Sequence, residues 1–419
     1  MSTIDPREET PEAVYAAVAA AGRAAKAASE SIRTADHKAV THALELIARN
    51  LRREGDAILE ANRRDVDNAS AKSSEAFVDR LRLDEARLEK IATQILTLAS
   101  CDEVEPVVGV TTLASGVRVE ERRRPVGVIG ANYEARPNVT VDVASQLLKS
   151  RNAGVLRTGS AALGSASVLL DVVIRPGYAE AGLDPEAIQL IRSADREGAR
   201  ACCSFPDLIP LVILRGSGPT TAELARHAAG RGVRTLAHAD GGGVLYLDRA
   251  ADTDLARHLI RRSLDRLGVC NRLNLLLVDQ ARWDDLVPVA IGELESLGIE
   301  PSLPPHDHPL GHEWALDDGR EGRVTLAPAT DPEHAARIAN EHTSGLAAGI
   351  VTTDAAAAHA FLEAYAGTGA FWNVTTRLLD GFELTGAPET GINVDRVPGP
   401  RGPVTFRDLY VRQYVVTPA

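Results

Sequence analysis

The chain has 419 residues, of which 44% are hydrophobic and 25% are charged, and its formal net charge is −12. This composition is typical of a globular protein with one large or two medium domains. The acidic balance argues against non-specific nucleic-acid binding, although a local arginine cluster can still hold an anionic substrate.

The N-terminus and the cysteines indicate the compartment. Residues 1–10 lack the regions of a signal peptide, and no apolar run approaches the roughly 18 residues of a membrane helix. Four scattered cysteines make no disulfide framework. We therefore expect a cytoplasmic protein without membrane association. The neighbouring His306, His308 and His312 lie in a Pro-rich acidic stretch, which we interpret as a solvated loop without a metal.

The predicted elements begin as a helical layer and continue as an α/β alternation. Apolar residues at helical spacing predict helices at 11–31, 37–70 and 81–98. An alternating, charged strand or hairpin follows at 117–124. Short apolar strands then alternate with helices, which indicates a doubly wound parallel sheet. These strands are predicted at 125–130, 154–157, 188–191, 208–214, 233–236 and 244–247.

The alternation continues after residue 249, where a helix leads into a cysteine and a strand at 273–278. We expect an α/β fold with a cofactor-binding domain at 1–248, to which 388–404 return, and a catalytic domain at 249–387. Strand-like arms at 114–124 and 405–419 predict a homo-oligomer, either a dimer or a dimer of dimers, because bare strand edges invite pairing.

Cys270 is the candidate nucleophile. It follows Val269, precedes Asn271 and stands directly before an apolar strand. A thiol at this position can attack a carbonyl and hold the acyl group as a thioester. A lone cysteine is also often a small buried hydrophobe, and its position alone does not decide between the two interpretations.

Strand-to-helix turns are candidates for cofactor binding, because such turns line the crevice at the carboxyl edge of a parallel sheet. The first turn follows Gly130 and is not a Gly-x-Gly-x-x-Gly motif. The second combines the cation of Arg157 with Thr158, a glycine and Ser160, which suits a phosphate such as the 2′-phosphate of NADP. The alternatives are a plain βα connection at the first turn and a surface arginine beside a turn at the second.

Three further features carry weaker signals. Arg215, Gly216 and Ser217 precede a helix N-terminus that can face a nucleotide or another anion. The glycines of the run 240–243 either allow a ligand to approach the backbone closely or form a loose turn. Near the C-terminus, the Glu389 carboxylate can hold ribose hydroxyls and Arg377 can pair with a substrate carboxylate.

Several of these segments, taken in order, match the motifs of a known enzyme family. The strongest match is the run Tyr-Glu-Ala-Arg-Pro-Asn-Val-Thr-Val-Asp at 133–142, joined by Val269-Cys270-Asn271 and by Asn373, Thr376 and Arg377. Over nearly its whole length the chain resembles the γ-glutamyl phosphate reductase family, the glutamate-5-semialdehyde dehydrogenases of the aldehyde dehydrogenase superfamily.

The resemblance implies an aldehyde-dehydrogenase-like fold with a Rossmann-type cofactor domain, and an NADP-dependent oxidoreductase of proline biosynthesis. In the implied reaction, NADPH reduces L-glutamyl 5-phosphate to L-glutamate 5-semialdehyde and phosphate through a thioester on Cys270. The backbone N–H of Cys270 and the Asn138 amide would supply oxyanion donors. The substrate-binding residues would be Arg136, Asn271, Arg377 and Arg401.

The chain departs from the family mainly on the substrate side. Leu346-Ala347-Ala348 stand where the family usually has His-Thr-Glu, Leu214–Ser217 replace Pro-Arg-Gly-Gly, and Gly243-Val244 replace Cys-His. The acyl group and the choice between NADP and NAD therefore stay open. The alternatives are a divergent enzyme of the same superfamily that acts on another acyl phosphate or aldehyde, and a non-catalytic paralogue.

Overall fold

The computed structural model describes residues 10–71, 73, 75–238, 241–317, 319–395 and 399–418. The chain forms two compact units. The first comprises Met1–Ala237, Ala387–Gly391 and Val404–Ala419, and the second comprises His238–Gly386 and Ile392–Pro403. Among the described residues, no helix is both long and apolar enough to cross a membrane.

The first unit combines a helical layer with a five-stranded sheet of order β5-β4-β3-β6-β7, in which the pairs from β5 to β6 are parallel. Its elements are α1 (Pro11–Thr34), α2 (His37–Arg53), α3 (Gly55–Ser70), α4 (Glu75–Leu81), α5 (Glu85–Ser100), β1 (Val107–Thr112), β2 (Arg118–Pro125), β3 (Val128–Tyr133), α6 (Pro137–Lys149), β4 (Ala153–Thr158), α7 (Leu163–Val168), α8 (Arg175–Glu180), β5 (Ile188–Leu190), α9 (Glu197–Cys202), β6 (Leu211–Arg215), α10 (Gly218–Gly230) and β7 (Arg234–His238).

Local chemistry accounts for several of these boundaries. Asp36 and Asp84 cap α2 and α5 by accepting backbone N–H groups of the first turn. The helix predicted at 37–70 is in fact two helices, because the chain leaves helical geometry at Glu54. In β4, a Cβ on Gly154 would stand 2.4 Å from Leu147 Cδ1, so only glycine lets α6 pack this closely on the sheet.

The second unit is built on a six-stranded sheet of order β10-β11-β9-β8-β12-β13, with every neighbouring pair parallel. Apolar clusters cover both faces of this sheet. Its elements are β8 (Gly243–Leu247), α11 (Thr253–Arg262), β9 (Leu273–Asp279), α12 (Trp283–Ser296), β10 (Glu300–Ser302), β11 (Arg323–Ala329), α13 (Pro332–His342), β12 (Ala347–Val351), α14 (Ala355–Ala364), β13 (Gly369–Trp372) and α15 (Gly381–Thr385).

The division of the chain differs from the predicted boundaries at two places. The strand β8, expected in the cofactor domain, is hydrogen-bonded between β9 and β12, so the change between units precedes it rather than following residue 248. Of the segment 388–404, expected to return to the first unit, residues 392–403 belong to the second. This segment contains the two-stranded sheet of β14 (Gly391–Asn393) and β15 (Gly402–Val404).

The predicted arms form a separate three-stranded antiparallel sheet of order β1-β2-β16, where β16 is Tyr410–Thr417. The sequence prediction missed β1, which pairs with β2 as a hairpin. The sheet carries exposed apolar side chains on both outer strands. These are Val107, Val108, Val110, Val411, Tyr414 and Val416.

Candidate active site

Cys270 lies in the loop directly before β9, at the amino edge of the second sheet. Its side chain is half-buried and packs against an apolar cluster. The cluster includes Leu346 and Ala347 at the start of β12, which occupy two of the three family His-Thr-Glu positions. The departure seen in the sequence therefore changes the wall beside the thiol.

Two glycines bring another backbone segment against this loop. A Cβ on Gly241 would stand 2.6 Å from Cys270 Cβ and 2.4 Å from the Cys270 carbonyl oxygen. The Gly242 N–H donates to that same carbonyl at 2.7 Å, and Gly242 has a φ of +109°, which disfavours other residues. The predicted glycine run therefore packs closely against the loop that carries the nucleophile. Ala239 and Asp240, which precede it, lie outside the described residues.

Asn271, the residue after Cys270, is buried and held from three sides. Its Nδ2 donates to the carbonyls of Arg377 at 3.2 Å and Leu379 at 3.0 Å, and its own carbonyl accepts from Thr376 Oγ1 at 2.9 Å. Arg377 donates to the Asn271 side-chain oxygen and, from Nε, to Asp265 Oδ1 at 2.8 Å. The two predicted substrate residues Asn271 and Arg377 are therefore in contact, and they brace the nucleophile loop.

A second contact that holds the nucleophile loop, which the sequence did not predict, is made by the next residue. Arg272 is fully buried, and its guanidinium donates to the carbonyls of Glu321 and Arg323. Burial lowers the pKa of Arg272 to about 10, opposed by the negative charges of Glu313 and Glu321. These contacts hold the 303–322 loop, the segment between β10 and β11, at the amino edge of the sheet.

The predicted interpretation of the three histidines is corrected by this loop. His308 and His312 pack edge-on against the buried Trp314, with ring centroids 4.7 and 4.3 Å away, and His306 lies 5.1 Å from His308. All three are half-buried rather than solvated, because His308 and His312 pack against the Trp314 ring and His306 packs against His308. No group of three ligating side chains in the described ranges is arranged to hold a metal ion.

In the first unit, Asn138 stands in the first turn of α6. Its Nδ2 donates to Asp142 Oδ2 at 3.0 Å, one helical turn along. Burial raises the pKa of Asp142 to about 6, while this hydrogen bond and the charge of Arg215 act in the opposite direction. Arg136 precedes the helix, half-buried, with its Nε 3.9 Å from Glu134.

The predicted cofactor turns meet at the carboxyl edge of the first sheet, since β3, β4 and β6 are adjacent and parallel. The strand expected to end at Gly130 runs on to Tyr133. A Cβ on Gly130 would stand 2.9 Å from Ile209 Cγ2, so packing accounts for this glycine. The turn that follows β3 is 134–136.

The Arg157 side chain is buried rather than open at this edge. It donates to Asn132 Oδ1 at 3.3 Å and to the Asp195 carbonyl at 3.0 Å, and burial lowers its pKa. Arg196, which is exposed in the β5–α9 connection, also lowers the pKa of Arg157 through its positive charge. Thr158 is buried and Ser160 is exposed at the same strand end.

The third turn joins β6 to α10. Arg215 ends β6 and donates to the Thr390 carbonyl at 3.1 Å, so it lies beside the segment that carries Glu389. Gly216 and Ser217 follow, both half-buried, and Ser217 occupies the N-cap of α10 without a side-chain hydrogen bond to the helix backbone. Arg401, in the second unit, is exposed and donates to the Ala366 carbonyl at 3.1 Å.

Two α/β units, a cysteine at the amino edge of one parallel sheet and glycine-containing turns at the carboxyl edge of the other define a class of oxidoreductase. Residues 3–311 match the aldehyde dehydrogenase family, and the chain belongs to that family. Members of the family use a nicotinamide cofactor and act on small molecules.

Within the family, the chain is similar to γ-glutamyl phosphate reductases over nearly its full length. It is 33% identical over 412 residues to the γ-glutamyl phosphate reductase of Zymomonas mobilis, covering 96% of this chain and 94% of that protein. It is 32% identical over 409 residues to the enzyme of the same name from Neisseria meningitidis, covering 94% and 96%. The crystal structure of γ-glutamyl phosphate reductase from Thermotoga maritima superposes with a TM-score of 0.86 at 26% identity, covering 96% and 98%.

Several residues of the site were missed in the sequence. Asp265, Arg272 and Arg196 carry no local motif, and their positions depend on pairings distant in the chain. Asp142 follows Asn138 by four residues, a spacing at which side chains meet on a helix, but the sequence did not predict that the helix begins before Asn138.

Proposed function

We propose that the protein reduces L-glutamyl 5-phosphate to L-glutamate 5-semialdehyde and phosphate with NADPH, through a thioester on Cys270. The observation that carries the proposal is the loop around Cys270, which is held by Asn271 and approached by Gly241. Its support from outside the chain is the similarity to γ-glutamyl phosphate reductases over nearly the full length.

In the proposed mechanism, the Cys270 thiolate attacks the acyl carbonyl of the substrate. A C–S bond forms, the bond from the carbonyl carbon to the phosphate oxygen breaks, and phosphate leaves with its electron pair. NADPH, which the turns at Thr158, Gly216 and Glu389 would hold, would supply the hydride for the thioester carbon. Cys270 then leaves as thiolate when the thiohemiacetal collapses, which releases the aldehyde.

Other residues of the chain stabilise charge during these steps. Asn138 and the backbone N–H of Cys270 donate to the oxyanion. Arg136 and Arg401 bind the carboxylate and phosphate of the substrate. Arg377 and Asn271 were predicted as substrate ligands, and their mutual contacts favour a role in holding the loop.

The first unit fits a dinucleotide. The N-terminus of α10 has no side-chain cap at Ser217, so its backbone N–H groups suit a pyrophosphate. The buried Nε of Arg157 has no hydrogen-bond partner among the described residues. Gly216, Thr158, Ser160 and Glu389 line the same turns, and Glu389 would hold ribose hydroxyls. We assign the 2′-phosphate of NADP to the neighbourhood of Arg157 and the exposed Arg196, where two positive charges lie close together.

One observation favours a second candidate function. Leu346 and Ala347 make the wall beside Cys270 apolar, and an apolar wall suits an acyl chain with fewer charges than a glutamyl group. The alternative is therefore reduction of another acyl phosphate, or oxidation of another aldehyde, by the same nucleophile.

We also propose that the β1-β2-β16 sheet pairs with a second copy of the chain, forming a dimer or a dimer of dimers in the cytoplasm. The exposed valines and Tyr414 of this sheet support the proposal. Light scattering coupled to gel filtration would detect the oligomer, and a monomer at micromolar concentration would contradict it.

The proposed activity is tested in the reverse direction. Pyrroline-5-carboxylate, phosphate and NADP⁺ are incubated with the wild type and with Cys270→Ala. NADPH formation that needs both phosphate and Cys270 supports the main proposal. Turnover of simple aliphatic aldehydes without phosphate supports the alternative, and absence of both turnover and nucleotide binding would indicate a non-catalytic protein.

A further inference from the structure

Asp142 stands one helical turn after Asn138, on the same face of α6. Both side chains are half-buried, and the Asn138 Nδ2 donates to the Asp142 carboxylate at 3.0 Å. An ionised carboxylate accepts hydrogen bonds and donates none. It therefore tolerates only the amide orientation in which Nδ2, not Oδ1, faces it. The contact decides which way the Asn138 amide points.

The charge state of Asp142 is set by the groups around it. Arg215, at the end of β6, favours the ionised form, and Tyr133 of β3 is the other titratable group nearby. The Tyr133 hydroxyl donates to Thr140 Oγ1 at 2.9 Å. Burial outweighs the favourable contacts and raises the pKa of Asp142 to about 6. Asp142 therefore changes charge within the pH range of ordinary assays.

We propose that Asp142 is a positioning residue, whose carboxylate orients the Asn138 amide so that its second N–H faces the oxyanion. The inference rests on the proposed function, which gives Asn138 the oxyanion role. When Asp142 is ionised, one N–H of Asn138 donates to it and the other remains for the substrate oxygen. When Asp142 is protonated, its O–H donates to Asn138 Oδ1, the amide turns over, and an oxygen replaces the donor.

The test compares Asp142→Asn, Asn138→Ala and the double variant in the phosphate-dependent reverse reaction. We expect Asp142→Asn to lower kcat by roughly tenfold, less than the loss on removing an oxyanion donor outright. KM and the dissociation constant of NADP⁺ should stay within about twofold, because the proposed role of Asp142 is exerted through the Asn138 amide alone. The wild-type kcat should fall on the acid side with an apparent pKa near 6, and this fall should disappear in Asp142→Asn.

The double variant separates positioning from general damage. If Asp142 acts only through Asn138, the double variant is no slower than Asn138→Ala alone. Asp142→Glu, which keeps a carboxylate, should retain the acid fall even where Asp142→Asn folds poorly. Asp171→Asn, which removes an exposed carboxylate paired with Arg192, is the matched control.

The outcomes distinguish this inference from the function on which it rests. A further loss in the double variant, or an unchanged kcat and acid fall in Asp142→Asn, would overturn the positioning role while a slow Asn138→Ala still supports the oxyanion role. A wild-type kcat in Asn138→Ala, beside an inactive Cys270→Ala, would overturn the oxyanion role itself and the inference with it.

Discussion

Arg377 and Asp265, far apart in the chain, form an ion pair with 2.8 Å between Nε and Oδ1, and the same guanidinium donates to the side chain of Asn271. The planar side chain of Arg377 thus joins Asp265, in the turn after α11, to Asn271, the residue directly after the nucleophile. The nucleophile loop is held at both ends by this arrangement.

Arg377→Lys should lower kcat by about tenfold and leave KM for the substrate nearly unchanged. The compact ammonium group of lysine lacks the planar guanidinium geometry that lets one side chain hydrogen-bond to Asp265 and Asn271 together. Steady-state kinetics of the reverse reaction measure the effects on kcat and on KM separately. A raised KM with an unchanged kcat would instead make Arg377 a substrate ligand, as the sequence predicted. Arg337→Lys on α13 changes an exposed arginine of the same unit and serves as control.

Gly241→Ala should abolish activity and destabilise the protein, because its Cβ would lie 2.4 Å from the Cys270 carbonyl oxygen. The three nearest atoms are the carbonyl oxygen, Cα and Cβ of Cys270, which cannot rotate away. Gly292→Ala, in the middle of α12 with open space around its Cβ, should instead stabilise by about 0.5–1 kcal/mol. Urea unfolding of the two variants checks the contrast, and equal stabilities would contradict it.

Asp142→Asn should make the protein more stable at pH 8 although it makes it slower. The native pKa of about 6 lies above the ordinary value of 3.8. Between these values the native state binds more protons than the unfolded state, so wild-type stability declines as pH rises from about 4 to 6. The neutral amide of Asp142→Asn does not titrate, so the variant avoids this loss. Above pH 6 the loss is about 2 kcal/mol in the free energy of unfolding, allowing for the partial exposure of the side chain to solvent. Urea unfolding at pH 4.5 and pH 8 measures it, and lower stability of the variant at pH 8 would contradict the account.

Arg196→Gln should weaken NADPH binding by about tenfold and leave NADH binding unchanged, because only the former carries a 2′-phosphate to pair with the guanidinium. Arg157→Gln should mainly lower stability, since this side chain is buried and donates to Asn132 and Asp195. Fluorescence titration with both nucleotides separates the two effects. Equal losses for NADPH and NADH in Arg196→Gln would remove Arg196 from the phosphate site.

The sequence was informative where local pattern determines structure. Short apolar runs identified β4, β9 and most other parallel strands, and the family resemblance assigned the nucleophilic role to Cys270. The classification as an aldehyde dehydrogenase and the resemblance to γ-glutamyl phosphate reductases are confirmed by the comparisons.

The rest depended on contacts between distant residues. The pairing of Asp265 with Arg377 spans 112 positions, and no spacing rule predicts it. The placement of β8 in the second sheet depends on strand pairing, which composition does not encode. The assignment of Gly130 to the cofactor stays a prediction, and the sequence did not predict that a Cβ there would meet Ile209, on the segment before β6, and Val212 in β6.

A thioester on Cys270 that phosphate discharges is tested most directly by the pre-steady-state formation of NADPH without phosphate. Enzyme is mixed rapidly with pyrroline-5-carboxylate and NADP⁺, and absorbance is followed with and without phosphate. We predict a burst equal to the enzyme concentration that stalls at the Cys270 thioester, followed by turnover when phosphate is added, and no burst in Cys270→Ala. A burst that persists in Cys270→Ala, or full turnover without phosphate, would contradict a thioester on Cys270 that phosphate discharges.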